Sequence, residues 1–545
     1  MIAALVKKVE VRSFSERFYD IFSILMVVTF CLLPLVISLP YRVNLYVSWE
    51  GAYRMYLGQL PYRDFGMPIG YAYWLIPFLF FKALGPYMSS LLWAQAFINI
   101  FSALLIRDIL KVLGANKPVV FFALLTYSLS FILINFWPWY NHTVFFYELI
   151  AICMILRYVF VRRRILYLLG ASLSTCLALL TKQDGGGLTL VMLGVLFVLH
   201  YLYERDNKGA IYLILSFIAW FFILFVPFFS YEFDYWFNYG QAPHYSRISG
   251  YNFMKDWFEG SNWIKGYLLI IMLFLAINIR NLKQSISNKK FVFFILLSLG
   301  ILVQASIIQV TSFSPPTGNL YFHTFAIALI FYLLQSEIRF ESVVLTLVFT
   351  FLIGFWQSQN LWKYSSKVFS KVVPSLFSPP PKNVVSKGNW ASGLDSPSKP
   401  VQWKPSSLVT LSGMRLPENT MAGIDEILNL NLSKDGELQV LNMSNLTFLA
   451  NELHYIPTAG IDFPLWYHKG VALFEREVDM LCQKVHSSSY DLILFEDMPN
   501  VDNYFPYEVR QCALENYKKV NKFISPTGYT SDSVEVYIRK RPLEP

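Results

Sequence analysis

Residues 48–70 of this 545-residue chain read SWEGAYRMYLGQLPYRDFGMPIG. The stretch carries Glu50, Arg54, Arg63 and Asp64, and it follows an apolar run, residues 18–40, long enough to cross a bilayer. Two carboxylates and two guanidiniums therefore sit at a membrane surface among Trp and Tyr side chains, which favour that depth. An island of this kind is where a membrane enzyme would handle a lipid-linked substrate.

Composition supports the membrane. The chain is 55% hydrophobic, 18% aromatic and 15% charged, with a mean hydropathy of +0.43. Apolar runs of about 20 residues fill most of residues 18–358, each long enough to span the hydrocarbon core. The first is too long for a signal-peptide core and has no small-residue cleavage site, so it reads as a retained helix. The net charge of +9 lies mainly in short basic clusters between apolar runs. Topology accounts for these better than a nucleic-acid partner does.

Counting spans locates the polar island. If residues 69–85 and 89–106 both crossed the bilayer, the clusters at 107–117 and 162–164 would face opposite the basic N-terminus, against the positive-inside rule. Residues 69–85 are therefore expected as a juxtamembrane or re-entrant helix on the outer face. About eleven spans result, at 18–40, 88–107, 118–135, 143–161, 165–181, 187–204, 209–230, 263–280, 290–310, 320–337 and 341–359. The N-terminus, residues 1–17, is then cytoplasmic. The loops 41–87, 136–142, 182–186, 231–262 and 311–319 face outward, as does everything after 360.

The expected fold is an α-helical polytopic membrane protein, residues 18–360, with outer juxtamembrane helices and a small C-terminal α/β extracytoplasmic domain. A connector rich in Pro, Ser and Lys covers 361–405. Residues 406–545 alternate helix-like segments (421–432, 446–454, 472–485, 507–523) with strand-like ones (437–443, 490–495, 533–538), about 140 residues in all, a usual size for one core. Cys31, Cys153 and Cys176 lie in spans and read as apolar packing. Cys482 and Cys512 would bridge if the outer side is oxidising and their backbones meet the required separation. There is no CxxC or HExxH motif, so zinc chemistry has no support.

Transfer of a sugar from a polyprenyl phosphate needs a carboxylate to activate the acceptor or hold a metal, and cations to stabilise the departing phosphate. The first outer loop offers Glu50 and Asp64 as carboxylates, either of which would hold a divalent cation, Mg or Mn, if one is used. Arg42, Arg54 and Arg63 are candidate cations. Each alone reads equally well as a solvated interfacial residue. Thr181-Lys182-Gln183-Asp184-Gly185 puts a Lys/Asp pair at the outer membrane edge, where charge is costly; the bland reading is a hairpin turn with a snorkelling lysine. Tyr321-Phe322-His323 opens the tenth span, with His323 placed to bond a phosphate or satisfy a neighbouring helix. Trp137-Pro138-Trp139-Tyr140-Asn141-His142 is aromatic-belt material with polar tips. The loop 231–262, with Tyr231, Glu232, Asp234, Trp236 and His244, is long enough to cover the site.

Glu50-Gly51 followed by Gly58-Gln59-Leu60-Pro61-Tyr62-Arg63-Asp64-Phe65 and Pro68-Ile69-Gly70 resembles the first outer loop of bacterial protein O-mannosyltransferase-like glycosyltransferases. Lys182-Gln183-Asp184-Gly185 and Tyr321-Phe322-His323 resemble later motifs of the same group, a branch of the GT-C superfamily of polytopic enzymes that use polyprenyl-phosphate sugars. The likeness runs in order through residues 18–360. It implies an inverting transferase at the outer face of the cytoplasmic membrane. Two departures stand out: Trp49 occupies a position usually acidic, and Tyr140-Asn141 stand where relatives often carry a second acid.

The expected function is thus transfer of a sugar from a polyprenyl-phosphate donor to a glycan, lipid or protein acceptor. Asp64 and Glu50 are the candidate catalytic acids, and Lys182, Arg63, His323 and Arg54 the candidates for the donor phosphate. Asn141, Asp184, Tyr321 and His244 are candidates for acceptor or lid. A flippase for lipid-linked sugars would instead favour charges within spans and broken helices at midplane, and a non-catalytic glycan-binding scaffold is the other alternative.

Overall fold

A computed structural model describes residues 13–540, apart from 43–44, 67–68, 133–134, 232, 234–235, 237–248, 278–286, 313–321, 363–364, 366–368, 370–372, 374–400, 431, 433–437, 461–462, 466, 468–472 and 500–504. The N-terminal part is helical: α1 Glu16–Val36, α2 Leu45–Tyr56, α3 Ala72–Leu84, α4 Met88–Val112, α5 Lys117–Tyr127, α6 Tyr140–Phe160, α7 Ile165–Leu179, α8 Gln183–Glu204, α9 Asn207–Leu224, α10 Gly250–Lys255, α11 Asn262–Ile277, α12 Lys289–Ser312, α13 Phe322–Leu334 and α14 Val343–Trp356. Six of these are long and apolar enough to cross a membrane, and the bent pair Gly250–Gly260 and Asn262–Ile277, angled at 72°, makes up to seven. Shorter apolar helices lie at Ala72–Leu84, Lys117–Ile132, Ile165–Leu179, Phe322–Leu334 and Val343–Trp356. This is a multi-pass helical membrane architecture.

The bundle has chemically distinct ends. At one end, Asp20 of α1 takes Arg107 and Lys111 of α4 and Lys117 of α5 at 2.7, 3.1 and 2.9 Å. Asp108 of α4 holds Arg157 of α6 at 2.6 Å, and Glu204 at the end of α8 holds Lys289 of α12 at 2.7 Å. Arg107, Lys111, Lys117, Arg157 and Lys289 thus gather on one side, each paired with an acid of a neighbouring helix. The opposite end carries α2, α3 and the starts of α6 and α8.

Helix α3 is 13 residues long, about 20 Å at helical rise, shorter than the hydrocarbon core. Two expected outer loops are replaced by helix. Residues 182–186 form a tight break, because α7 ends at Leu179 and α8 begins at Gln183. Gly186 makes the break possible, since a β-carbon there would lie 2.4 Å from the backbone of Leu179. Tyr140 and Asn141 likewise open α6 rather than close a loop.

The C-terminal region contains α15 Glu418–Asn429, the single turn α16 Leu449–Glu452, α17 Phe474–His486 and α18 Tyr507–Asn516. Its four-stranded sheet has the order β4-β5-β7-β6, with β4 Val440–Met443 parallel to β5 Leu492–Asp497, and β7 Ser533–Arg539 antiparallel to both β5 and β6 Tyr517–Ile524. Residues 517–523, expected as the end of a helix, are instead an edge strand. The run Tyr-Lys-Lys-Val-Asn-Lys-Phe-Ile pairs with β7 along its length, with one register shift between Lys519 and Asn521, and pairing across the sheet overrides local preference. The expected helix at 446–454 is reduced to its one turn. A disulfide, Cys482–Cys512, joins α17 to α18, with Cα atoms 5.6 Å apart.

This region is stitched into the bundle. Residues 403–405, within the expected connector, form β2 Trp403–Pro405, which pairs with β3 Met414–Pro417. That strand also pairs in parallel with β1 Leu39–Pro40, the chain leaving α1. Tyr41 donates to the backbone carbonyl of Asn445 at 2.5 Å, and the Met88 N–H to that of Thr410 at 2.7 Å.

Candidate active site

Helix α2 lies between the bundle and the C-terminal region, and every residue from Leu45 to Arg54 is buried. Trp74 packs its ring against Gly51 and donates to the carbonyl of Val47 at 2.9 Å. Trp49, standing where an acid is usual in the resembling family, stacks on Tyr53 at 4.3 Å and donates to Pro86 O at 3.3 Å. It is a packing residue.

Glu50 and Arg54 are one helical turn apart on one face, the spacing that pairs charges. Both the Nε and an Nη of Arg54 reach Glu50 Oε1 at 2.9 Å. The other Nη donates to Gln59 Oε1 at 3.0 Å and to the carbonyl of Thr458 at 2.8 Å. Arg54 is thus committed to its own helix and to the C-terminal region, rather than presented to a phosphate. Burial pushes the Glu50 carboxyl above its ordinary range, with Arg54 partly opposing.

Asp64 sits on a tight turn. Tyr62 has φ 64°, a conformation costly for a bulky residue, and is held by its packing: its hydroxyl donates to Ile69 O at 2.8 Å and its ring meets Phe228 and Phe233 edge-on. The turn places Arg63 and Asp64 side by side in a two-point contact, Nε to Oδ1 at 2.9 Å and Nη2 to Oδ2 at 2.6 Å. Asp64 Oδ2 also accepts the Leu60 N–H at 2.7 Å. The Arg63 hydrogen bonds hold the Asp64 carboxyl below its ordinary range. Both candidate acids are present in the first loop, each already joined to an arginine.

The first loop then reaches the Lys182 motif. Gly70 and Ala72 donate their N–H groups to the carbonyls of Thr181 and Leu180, at 3.2 and 3.0 Å. Ser48 bonds the Tyr73 hydroxyl and donates to Pro138 O at 2.6 Å, and Tyr73 also reaches Pro138 O at 3.1 Å. Lys182 pairs with Asp184 at 2.8 Å and lies over the Tyr140 ring at 5.7 Å. Asp184 is further bonded by Thr311 at the end of α12. Asn141, next to Tyr140, is 8% exposed and its Oδ1 has no partner among the described residues. Three separate sequence motifs, residues 48–73, 137–141 and 181–185, therefore form one contiguous cluster.

His323 is placed differently. Its Nδ1 meets the Tyr267 hydroxyl at 2.9 Å and its ring faces Trp263 at 4.5 Å, so its neighbours are on α11. Tyr321 and His244, with residues 232, 234–235 and 237–248 of the loop 231–262, lie outside the described residues. Among the described residues, no three His, Cys, Asp or Glu side chains group to hold a metal ion. Glu50 and Asp64 each take a guanidinium instead, a poor fit to a divalent cation.

Sequence reasoning missed one wall of this region. The Glu50–Arg54 pair is capped by Asn442, Thr447, Tyr455 and Thr458, and Gln59 Nε2 donates to Pro457 O at 2.7 Å. Nothing in their local pattern signals this, because the contact spans some 400 residues of chain. It also missed Glu148, fully buried in α6 and bonded by Gln304 of α12 at 2.6 Å. A lone acid within an apolar run was its available signal.

The long apolar helices, the polar first loop and the integrated C-terminal region together define a multi-pass helical membrane protein. No family model and no curated protein matches the sequence. Among solved structures, the fold is similar to the crystal structure of ArnT from Cupriavidus metallidurans in the apo state, with TM-score 0.52 and 12% identity over 95% of this chain and 97% of that one. ArnT from the same source bound to undecaprenyl phosphate aligns with TM-score 0.48 and 11% identity, over 95% and 98% of the two chains.

Proposed function

We propose that this chain is an integral membrane glycosyltransferase that moves a sugar from a polyprenyl-phosphate donor to an acceptor at the outer face of the membrane. The observation that carries this reading is the convergence of the first-loop motif on Lys182 through Gly70, Tyr73 and Tyr140. The fold shared with ArnT supports the same class. Lys182 is the donor-phosphate cation in this reading. Arg63 lies at the edge of the site, its side chain 47% exposed, and is a second phosphate candidate; His323 acts through the α11 face.

Glu50 is the favoured base. Its Oε1 is held by Arg54, while Oε2 takes no hydrogen bond among the described residues. In the transfer, the acceptor hydroxyl gives its proton to Glu50 Oε2 and its oxygen forms a bond to the anomeric carbon. The bond from that carbon to the phosphate oxygen breaks with inversion, and polyprenyl phosphate leaves with the electron pair beside Lys182. Asp64, whose two oxygens are occupied by Arg63 and Leu60, serves the shape of the loop.

The topology that fits has about eleven crossings, obtained when the bent pair and four of the shorter apolar helices are added to the six long ones, α3 excepted. The acid-paired basic end then faces the cytoplasm. The Cys482–Cys512 bridge suits an oxidising, extracytoplasmic location for the C-terminal region.

One observation favours a flippase: the Glu148–Gln304 pair lies inside the bundle, where a buried acid often marks a transport path. Purified protein supplied with a radiolabelled polyprenyl-phosphate sugar pool separates the readings. Labelled product that depends on Lys182 and Glu50 supports transfer, whereas lipid movement between leaflets without product supports the flippase.

A further inference from the structure

At the seam between α2 and the C-terminal region lies a small cleft that opens to solvent. Its floor is the Glu50–Arg54 pair, and its far wall includes Asn442, Thr447 and Tyr455, with Tyr467 and Phe505 as aromatic faces. Two polar atoms here are unspent. Glu50, 9% exposed, keeps Oε2 without a hydrogen bond among the described residues. Thr447, 5% exposed, has no partner for its hydroxyl among the described residues. Buried groups in that condition are destabilising unless something fills the site. Tyr455 accepts from Asn442 Nδ2 at 3.0 Å, which leaves its own O–H to donate.

We infer that this seam cleft binds an uncharged sugar ring belonging to the acceptor. The groups on offer are an anionic acceptor, a hydroxyl that can accept or donate, a phenol O–H and aromatic faces. A pyranose matches them, with hydroxyls that both donate and accept and a C–H face that packs on rings. A phosphate or carboxylate does not. The cleft's cation, Arg54, is fully engaged by Glu50, Gln59 and Thr458, and the free carboxylate oxygen repels an anion. The assignment to acceptor rather than donor rests on the glycosyltransferase reading, in which the open oxygen of Glu50 must face the hydroxyl it deprotonates. The C-terminal region is then the part of the chain that selects the acceptor.

The test uses the full chain in nanodiscs and saturation-transfer NMR, with methyl α-mannopyranoside, methyl β-glucopyranoside and methyl β-galactopyranoside as neutral probes and inorganic phosphate as the anionic one. At least one pyranoside should bind saturably without competition from phosphate. Thr447→Val, which keeps the side-chain shape, and Tyr455→Phe should each weaken it about tenfold, the size of one lost hydrogen bond. Absence of saturable pyranoside binding, displacement by phosphate, or equal binding in both variants would overturn the inference. So would competition by the intact polyprenyl-phosphate sugar, which would reassign the cleft to the donor. The glycosyltransferase reading fails separately, if labelled donor is never consumed; pyranoside binding sensitive to Thr447→Val would survive that failure as a saccharide-binding site.

Discussion

Gly70 donates its backbone N–H to the carbonyl of Thr181 at 3.2 Å, and a β-carbon on Gly70 would fall 1.5 Å from the carbonyl oxygen of Leu180. The end of the first loop thus lies directly on the residues before Lys182, with no room for a side chain. Gly70→Ala must push the two segments apart. A loss of about 1–3 kcal/mol is expected from overpacking of this kind. Thermal unfolding should report it, together with a raised KM for the lipid donor; an unchanged KM would separate this junction from donor binding.

Arg54 joins the first loop to the C-terminal region through Thr458 O. Arg54→Met removes that link and leaves Glu50 buried without its partner, a change that typically costs about 3–5 kcal/mol. Limited proteolysis should then cut the C-terminal region faster, and hydrogen exchange should rise near Pro457 and Thr458. Equal protection in the variant would show that docking rests on the β1–β3 pairing and the Tyr41 contact instead.

Lys182 is assigned to the donor phosphate. Lys182→Met should raise the KM for the polyprenyl-phosphate sugar by about ten- to a hundredfold, since a charge-assisted bond to phosphate contributes roughly 1.5–3 kcal/mol. Steady-state kinetics over a donor series measures it. A fall in kcat alone, with KM unmoved, would place Lys182 away from the ground-state phosphate.

Glu535 gives the C-terminal region an acid-sensitive joint. Burial opposes its ionisation, but hydrogen bonds from Arg510, Lys519 and Tyr537 outweigh burial and hold its carboxyl well below the ordinary range. A depressed folded-state value stabilises the fold above the unfolded carboxyl value of about 4.3 and is lost as pH falls below it. Hydrogen exchange of β6 and β7 should therefore accelerate from about pH 4 downward. Glu535→Gln should flatten that dependence while lowering protection at neutral pH.

The helical architecture was legible because hydrophobic length and the placement of arginines and lysines are local signals. Helices occupy the expected apolar runs, and among the described residues six of them, or seven with the bent pair, are long and apolar enough to cross a membrane. Residues 182–186 became helix because the Gly186 contact allows α7 and α8 to meet with almost no loop, a tertiary fact. Residues 517–523 became strand because β7 was available, which no window of their own sequence reports. Within the site, the motifs at 48–70, 137–142 and 181–185 were each visible, and the structure brings them together. Their charge pairing was not: Arg63 meets Asp64, and the pairing of Arg54 with Glu50 takes Arg54 away from the donor phosphate. The wall formed by Thr447 and Tyr455 depends on domain docking across hundreds of residues and left no local trace.

Which first-loop acid acts as the base decides the mechanism. Turnover of a labelled polyprenyl-phosphate sugar by Glu50→Gln and Asp64→Asn, measured from pH 4 to 8 beside the unaltered chain, tests it most directly. Glu50→Gln should lose about a hundredfold or more in kcat. The unaltered chain should lose activity as pH falls through a value above the ordinary glutamate range, because burial raises the Glu50 carboxyl, and Asp64→Asn should stay within about tenfold with that acidic limb intact. Collapse of turnover in Asp64→Asn with Glu50→Gln nearly unaffected would contradict the account.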